Sequence, residues 1–235
     1  MTDIPKVWRC YVLTGRISDD ALGRLVSESL GPGLNVDIYR SDFQQTWVYH
    51  IQDKERLHGE LLLFQDTENP ESEFTACLFS LGSESESQTL LFKAFKKWVI
   101  ENSESLIENI KFGDRLKLNI ADQVLAKNWR GIKIGFGSQT GQNRLKKLEL
   151  EVSAADVCLL SGGERERVVS NRIFDHLYEE TGLYANKLPI LDLKIEGHAL
   201  VTTDWFRVLR GSNTATVADV AGTVLEAFNS EQMAS

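Results

Sequence analysis

Ile132–Val152 reads IKIGFGSQTGQNRLKKLELEV, and its two ends follow one rule. Ile132, Ile134 and Phe136 alternate with Lys133, Gly135 and Gly137, while Leu148, Leu150 and Val152 alternate with Lys147, Glu149 and Glu151. A period of two belongs to a strand with one buried face. Between the two runs lies Ser138–Asn143, where glycine supplies the backbone conformations of a turn. The stretch predicts a β-hairpin whose Ile, Phe, Leu and Val side chains face the core. Lys133 and Lys147 then point to solvent and Arg144 sits at the loop end. Lys146 has the wrong parity unless a bulge intervenes.

The glycines raise a second reading, a loop that cradles phosphate. Gly137–Gly141, GSQTG, resembles the phosphate loop of the flavodoxin-like domain in diflavin reductases. That resemblance implies a helix directly after the loop, with phosphate on its free N–H groups. The chain departs from it at once, because RLKKLELEV has strand period. Gly135, Gly137, Gly141 and Arg144 also resemble the glycine-rich element of CRISPR-associated RNA-binding proteins. This implies a ferredoxin-like sheet with its loop laid on RNA backbone. The closing Gly-x-Gly of that element is replaced here by Gln142 and Asn143.

Outward from the hairpin, hydrophobic periodicity marks further elements. Strands are predicted at Val7–Leu13, Leu34–Arg40, Gln45–Ile51, Leu61–Phe64, Phe74–Phe79, Val157–Leu160, Ile190–Ile195 and within 199–209, and a short one near Leu116–Ile120. Helices are predicted from Ser18 to the Gly31-Pro32 stop, over Ser87–Asn102 with Trp98 on its apolar stripe, over Glu164–Glu180, and over Thr214–Phe228, with a fraying tail. Strands and helices do not alternate strictly, which excludes a parallel α/β fold. The expected class is α+β, with mainly antiparallel sheets packed by about four helices and ferredoxin-like βαβ units. Residues 1–109 and 110–235 form its two halves, either as separate domains or as one continuous domain. CYVLTG, CLFSLG and CLLSGG each give a strand, a hydroxyl residue and a glycine before a helix, as a duplication or reused strand–turn–helix chemistry would.

Few residues point to catalysis. The chain has no GxSxG elbow and no GxxxxGK[ST] loop. His176 and Glu180 share a helix face, but no third ligand accompanies them, and His50, His58 and His198 stand apart. No catalytic residue, metal or cofactor is assigned. No run of apolar residues is long enough to span a membrane, and the N-terminus lacks the apolar stretch of a signal peptide, so a cytoplasmic location is expected.

Charge carries more information. The net charge is −8, yet residues 111–147 hold nine basic and two acidic side chains, which makes that window +7 and the remainder −15. Such a segment prefers anionic groups. The expected binding residues are Lys127, Arg130, Lys133, Arg144, Lys146 and Lys147, with Gly135, Gly137 and Gly141 in the loop. The first reading is a non-catalytic subunit or regulator that docks a protein or multi-protein complex through this region. The alternatives are a nucleic-acid binder using the loop 135–147, or an enzyme for a small anionic substrate. A basic patch that pairs with the chain's own acidic surface gives the same composition.

Cys10, Cys77 and Cys158 lie in apolar runs without a cationic neighbour to stabilise a thiolate. Thiol labelling of the native protein is expected to be slow at all three and complete only after denaturation. Fast labelling of any one would mark a reactive thiol.

Overall fold

The computed structural model describes residues 7–14, 34–41, 46–53, 56–65, 74–81, 96–97, 100–101, 106–127, 131–137, 147–153, 178–179, 188–209 and 214–233. They belong to two compact units. One comprises Met1–Ile110 with Arg210–Ala218, and the other Lys111–Leu209 with Asp219–Ser235.

The first unit is an antiparallel sheet. Its strands are β1 (Val7–Thr14), β2 (Leu34–Ser41), β3 (Thr46–Asp53), β4 (Arg56–Gln65), β5 (Phe74–Leu81) and β6 (Leu106–Asn109). They run in the order β2-β3-β4-β5-β1, and β6 pairs with the C-terminal half of β1. Consecutive strands β2 to β5 form a meander, each paired antiparallel with the next. The ladder slips by a bulge at Ile51/Gln52 and again at Phe64/Gln65. Trp8, Cys10, Tyr11, Ile107 and Ile110 are buried, and Ile110 N–H donates to the Cys10 carbonyl at 2.9 Å. Burial pushes the Cys10 thiol up, away from the reactive thiolate form.

The second unit is a two-layer α+β arrangement. Helix α1 spans Asp114–Ala126; strands β7 (Gly131–Gly137), β8 (Lys147–Ser153), β9 (Ile190–Ile195), β10 (Ala199–Val201) and β11 (Phe206–Val208) follow. Helix α2 is Thr214–Met233, of which Asp219 onward belongs to this unit. The strand order is β11-β10-β9-β7-β8, antiparallel throughout. One face of the sheet is entirely apolar: Ile132, Ile134, Phe136, Val152, Leu193, Ile195, Ala199, Val201, Phe206 and Val208 are all buried. Leu116, Ile120 and Val124 of α1 recur every four residues, are buried, and pack that helix on β7 and β9. Gly197 turns the chain from β9 to β10 at φ +76°, a conformation that a side chain would strain.

The hairpin is as the alternation predicts, with Ile132 opposite Val152, Ile134 opposite Leu150 and Phe136 opposite Leu148. The strands at the N-terminus, 190–195 and 199–209 also hold. Four expectations need correction. Leu116–Ile120 is helix, not strand: the Leu-x-Leu-x-Ile alternation misled, while Asp114 at the helix start and the four-residue recurrence of apolar side chains decided the outcome. The last helix continues through Met233 rather than fraying. The described residues hold two complete helices where about four were expected; Lys96, Lys97, Ile100, Glu101, Tyr178 and Glu179 are helical too. Every pairing within each unit is antiparallel, so no βαβ crossover is present among the described residues. Trp98, Cys158, the Ser18 helix and Val157–Leu160 lie outside the described residues.

Candidate basic docking region

The basic window was expected to present its cations to a partner. Five of its nine cationic side chains are described, and each has an intramolecular partner. Lys111 bridges to Asp204. Arg115 Nε lies 3.7 Å from Glu231, and Lys127 Nζ lies 2.7 Å from Glu226 and 3.2 Å from the Thr223 hydroxyl. These last two contacts tie opposite ends of α1 to the C-terminal half of α2. Lys133 Nζ sits 2.6 Å from Glu151 Oε2 and 3.9 Å from Glu196 Oε1. Its hydrogen bond to Glu151 raises its proton affinity above that of an ordinary lysine.

Lys117 is the unusual one. It is 2% exposed on α1, and its Nζ donates to the Ile190 carbonyl at 2.7 Å. Burial lowers its proton affinity, and Asp114, Asp192 and Asp204 work against that shift. The ammonium thus holds the entry to β9 against α1.

Of the expected binding residues, Lys127 is the C-cap of α1, shortly before β7 begins. Lys133 lies mid-strand in β7 and is half-buried. Lys147 begins β8 opposite Gly137. Arg130, Arg144, Lys146 and Gly141 lie outside the described residues. Gly135 and Gly137 belong to β7, not to the loop. Gly137 donates its N–H to the Pro189 carbonyl at 2.8 Å, and a Cβ there would come within 3.0 Å of Leu191 Cδ2. Gly131 is similarly tight, since a Cβ would stand 3.0 Å from the Val152 carbonyl oxygen and 3.2 Å from Glu196 Oε2. Its small size lets Glu196 reach toward Lys133.

The counter-charges Asp204, Glu226, Glu231, Glu151 and Glu196 were not singled out from the sequence. Four are separated from their cations by tens of residues, so only the fold brings them together. Glu151 and Lys133 were legible once the hairpin register was fixed. Among the described residues no group of His, Cys, Asp and Glu is close enough to hold a metal, and no helix is long and apolar enough to cross a membrane.

The second unit is thus an antiparallel α+β framework in which five cations of the basic window are paired within the chain. A protein-family model described as IML3 matches residues 4–220. The chain therefore belongs to the IML3 family, a family of non-catalytic subunits of multi-protein complexes. No curated protein matches the chain.

Because Lys117 loses its proton more readily in the folded chain, the unfolded chain binds more protons at alkaline pH. Stability therefore gains a term that rises with pH in the window just below the ordinary lysine value. Lys117→Met is expected to flatten that rise, measured by chemical denaturation across that window. An unchanged slope would show that Lys117 is solvated in solution.

Proposed function

We propose that the chain is a scaffolding subunit that holds a macromolecular partner through the basic hairpin region 111–147. Its family membership supports an assembly of the kinetochore or cohesin-loader kind. The observation that carries the docking reading is the place of β8. Among the described residues it ends the strand path and is paired on one edge only, with β7. An edge strand offers a row of backbone N–H and C=O groups to a partner, and charges along it restrict which partner is accepted. Lys147, Glu149 and Glu151, at alternate positions, put one positive and two negative charges along it. Since the described cations of the window are internally paired, Arg144, Lys146 and Lys147 carry the attraction toward the partner in this reading.

Reversal of Arg144, Lys146 and Lys147 to Glu is expected to release the co-purifying complex at physiological salt while stability changes little. Exposed charges contribute under about 1 kcal/mol each. Lys133→Glu behaves differently: it sets a third carboxylate beside Glu151 and Glu196 and lowers the melting temperature. A triple variant that assembles as well as the parent contradicts the proposal.

A further inference from the structure

The register of the second unit sets one row of side chains across the sheet face opposite α1. Arg207 on β11 stands opposite Leu200 on β10, and Leu200 opposite Lys194 on β9. Lys194 and Arg207 are exposed, and Leu200 is half-buried between them. Trp205, two residues before Arg207, is also half-buried, and the Arg207 guanidinium lies 5.4 Å from its ring centroid. The turn that carries Trp205 is held from both sides. Thr202 donates its N–H and its hydroxyl to the Trp205 carbonyl, each at 2.9 Å, and Phe112 N–H donates to the Thr203 carbonyl at 2.8 Å.

Charge sets this row apart. Each described cation of the basic window has an anionic or carbonyl partner within the chain. Lys194 and Arg207 have no ion-pair partner among the described residues. Glu196, two residues along the chain from Lys194, lies 3.9 Å from Lys133. Two cations without an ion-pair partner among the described residues therefore flank an aliphatic side chain, with a tryptophan on a hydrogen-bonded turn at one end. Tryptophan and arginine are the residues that most often anchor protein interfaces.

We infer that this face docks an acidic amphipathic helix of a partner protein. This rests on the chain being a complex subunit but not on the hairpin being its docking element. A helix is the fitting occupant, because it satisfies its own backbone while covering a sheet face, whereas an extended segment laid there would leave its N–H and C=O groups unpaired. The spacing agrees. Lys194 and Arg207 are two strand steps apart, about 10 Å. Residues i and i+7 of a helix share a face and lie about 10.5 Å apart along its axis. The recognised helix carries Glu or Asp at i and i+7 and a large apolar residue at i+3 or i+4, seated on Leu200 and against Trp205.

The test uses the ¹⁵N-labelled full chain and a synthetic helical peptide with Glu at i and i+7 and Leu at i+3 and i+4. Titration followed by amide and indole resonances detects weak binding. The Leu200 amide and Trp205 indole are expected to shift, and Lys194→Glu with Arg207→Glu is expected to weaken binding roughly tenfold or more at an unchanged melting temperature. A peptide with its second Glu moved off that face is expected to bind as weakly to the parent. No shift at Leu200 and Trp205, or equal binding of the two peptides, overturns the inference. So does an oligonucleotide that shifts these resonances when the peptide does not, or concentration-dependent self-association that Arg207→Glu abolishes. Loss of complex assembly in the hairpin variant alone leaves this face unaffected, so the two surfaces fail separately.

Discussion

The second unit depends on the register of β7, which lies between β8 and β9 and pairs with both. Side chains along a strand alternate between faces, so a slip of one residue exchanges the two sets completely. In the observed register Ile132, Ile134 and Phe136 enter the core beneath α1, and Lys133 meets Glu151 on one side and Lys194 on the other. A slip would drive Lys133 into that core and strand its charge. Burial of three large apolar side chains, each worth roughly 1.5–3 kcal/mol, opposes the slip. Glycines refine the arrangement, since Gly131 and Gly137 admit Glu196 and Leu191 where a Cβ would crowd them.

The fold also sorts the described cations of the second unit into two kinds. Lys111, Arg115, Lys127 and Lys133 are joined to carboxylates contributed by later parts of the chain, and Lys117 is joined to a carbonyl. These cations bind the unit's own elements together, the two helices above all. Lys194 and Arg207 are set in a row with no such partner among the described residues. The +7 of the basic window is therefore a poor measure of what is offered to a partner, because much of it is consumed inside the fold. For a subunit of a multi-protein complex, the uncompensated charge is the part that selects what binds.

Much of the fold was legible because its strands alternate cleanly. The hairpin of β7 and β8, the N-terminal strand, the β2–β3 and β4–β5 pairs and the strands from Ile190 onward all show period-two patterns. Helix α1 was misread because Leu116, Leu118 and Ile120 alternate as a strand does, and the recurrence of Leu116, Ile120 and Val124 needed a longer window to emerge. Strand β6 was missed because four residues, LIEN, carry too little pattern. Among the candidate binding residues the types were legible but not their pairing. Lys127 and Glu226 are brought together by the packing of α1 beside α2, and no local signal announces it. The row of Lys194, Leu200 and Arg207 was invisible for the same reason, since it exists only once three strands are placed in register.

The most direct test of the account is the register itself. Cross-strand backbone nuclear Overhauser effects in the isotope-labelled chain locate each residue of β7 against its neighbours. The account predicts that Lys133 connects to Glu151 on one side and Lys194 on the other, with Ile132 connected to Val152 and Ile195. Connections displaced by one residue, placing Lys133 opposite Val152 or Leu150, would contradict it, because the apolar face and the Lys133–Glu151 ion pair would be lost together.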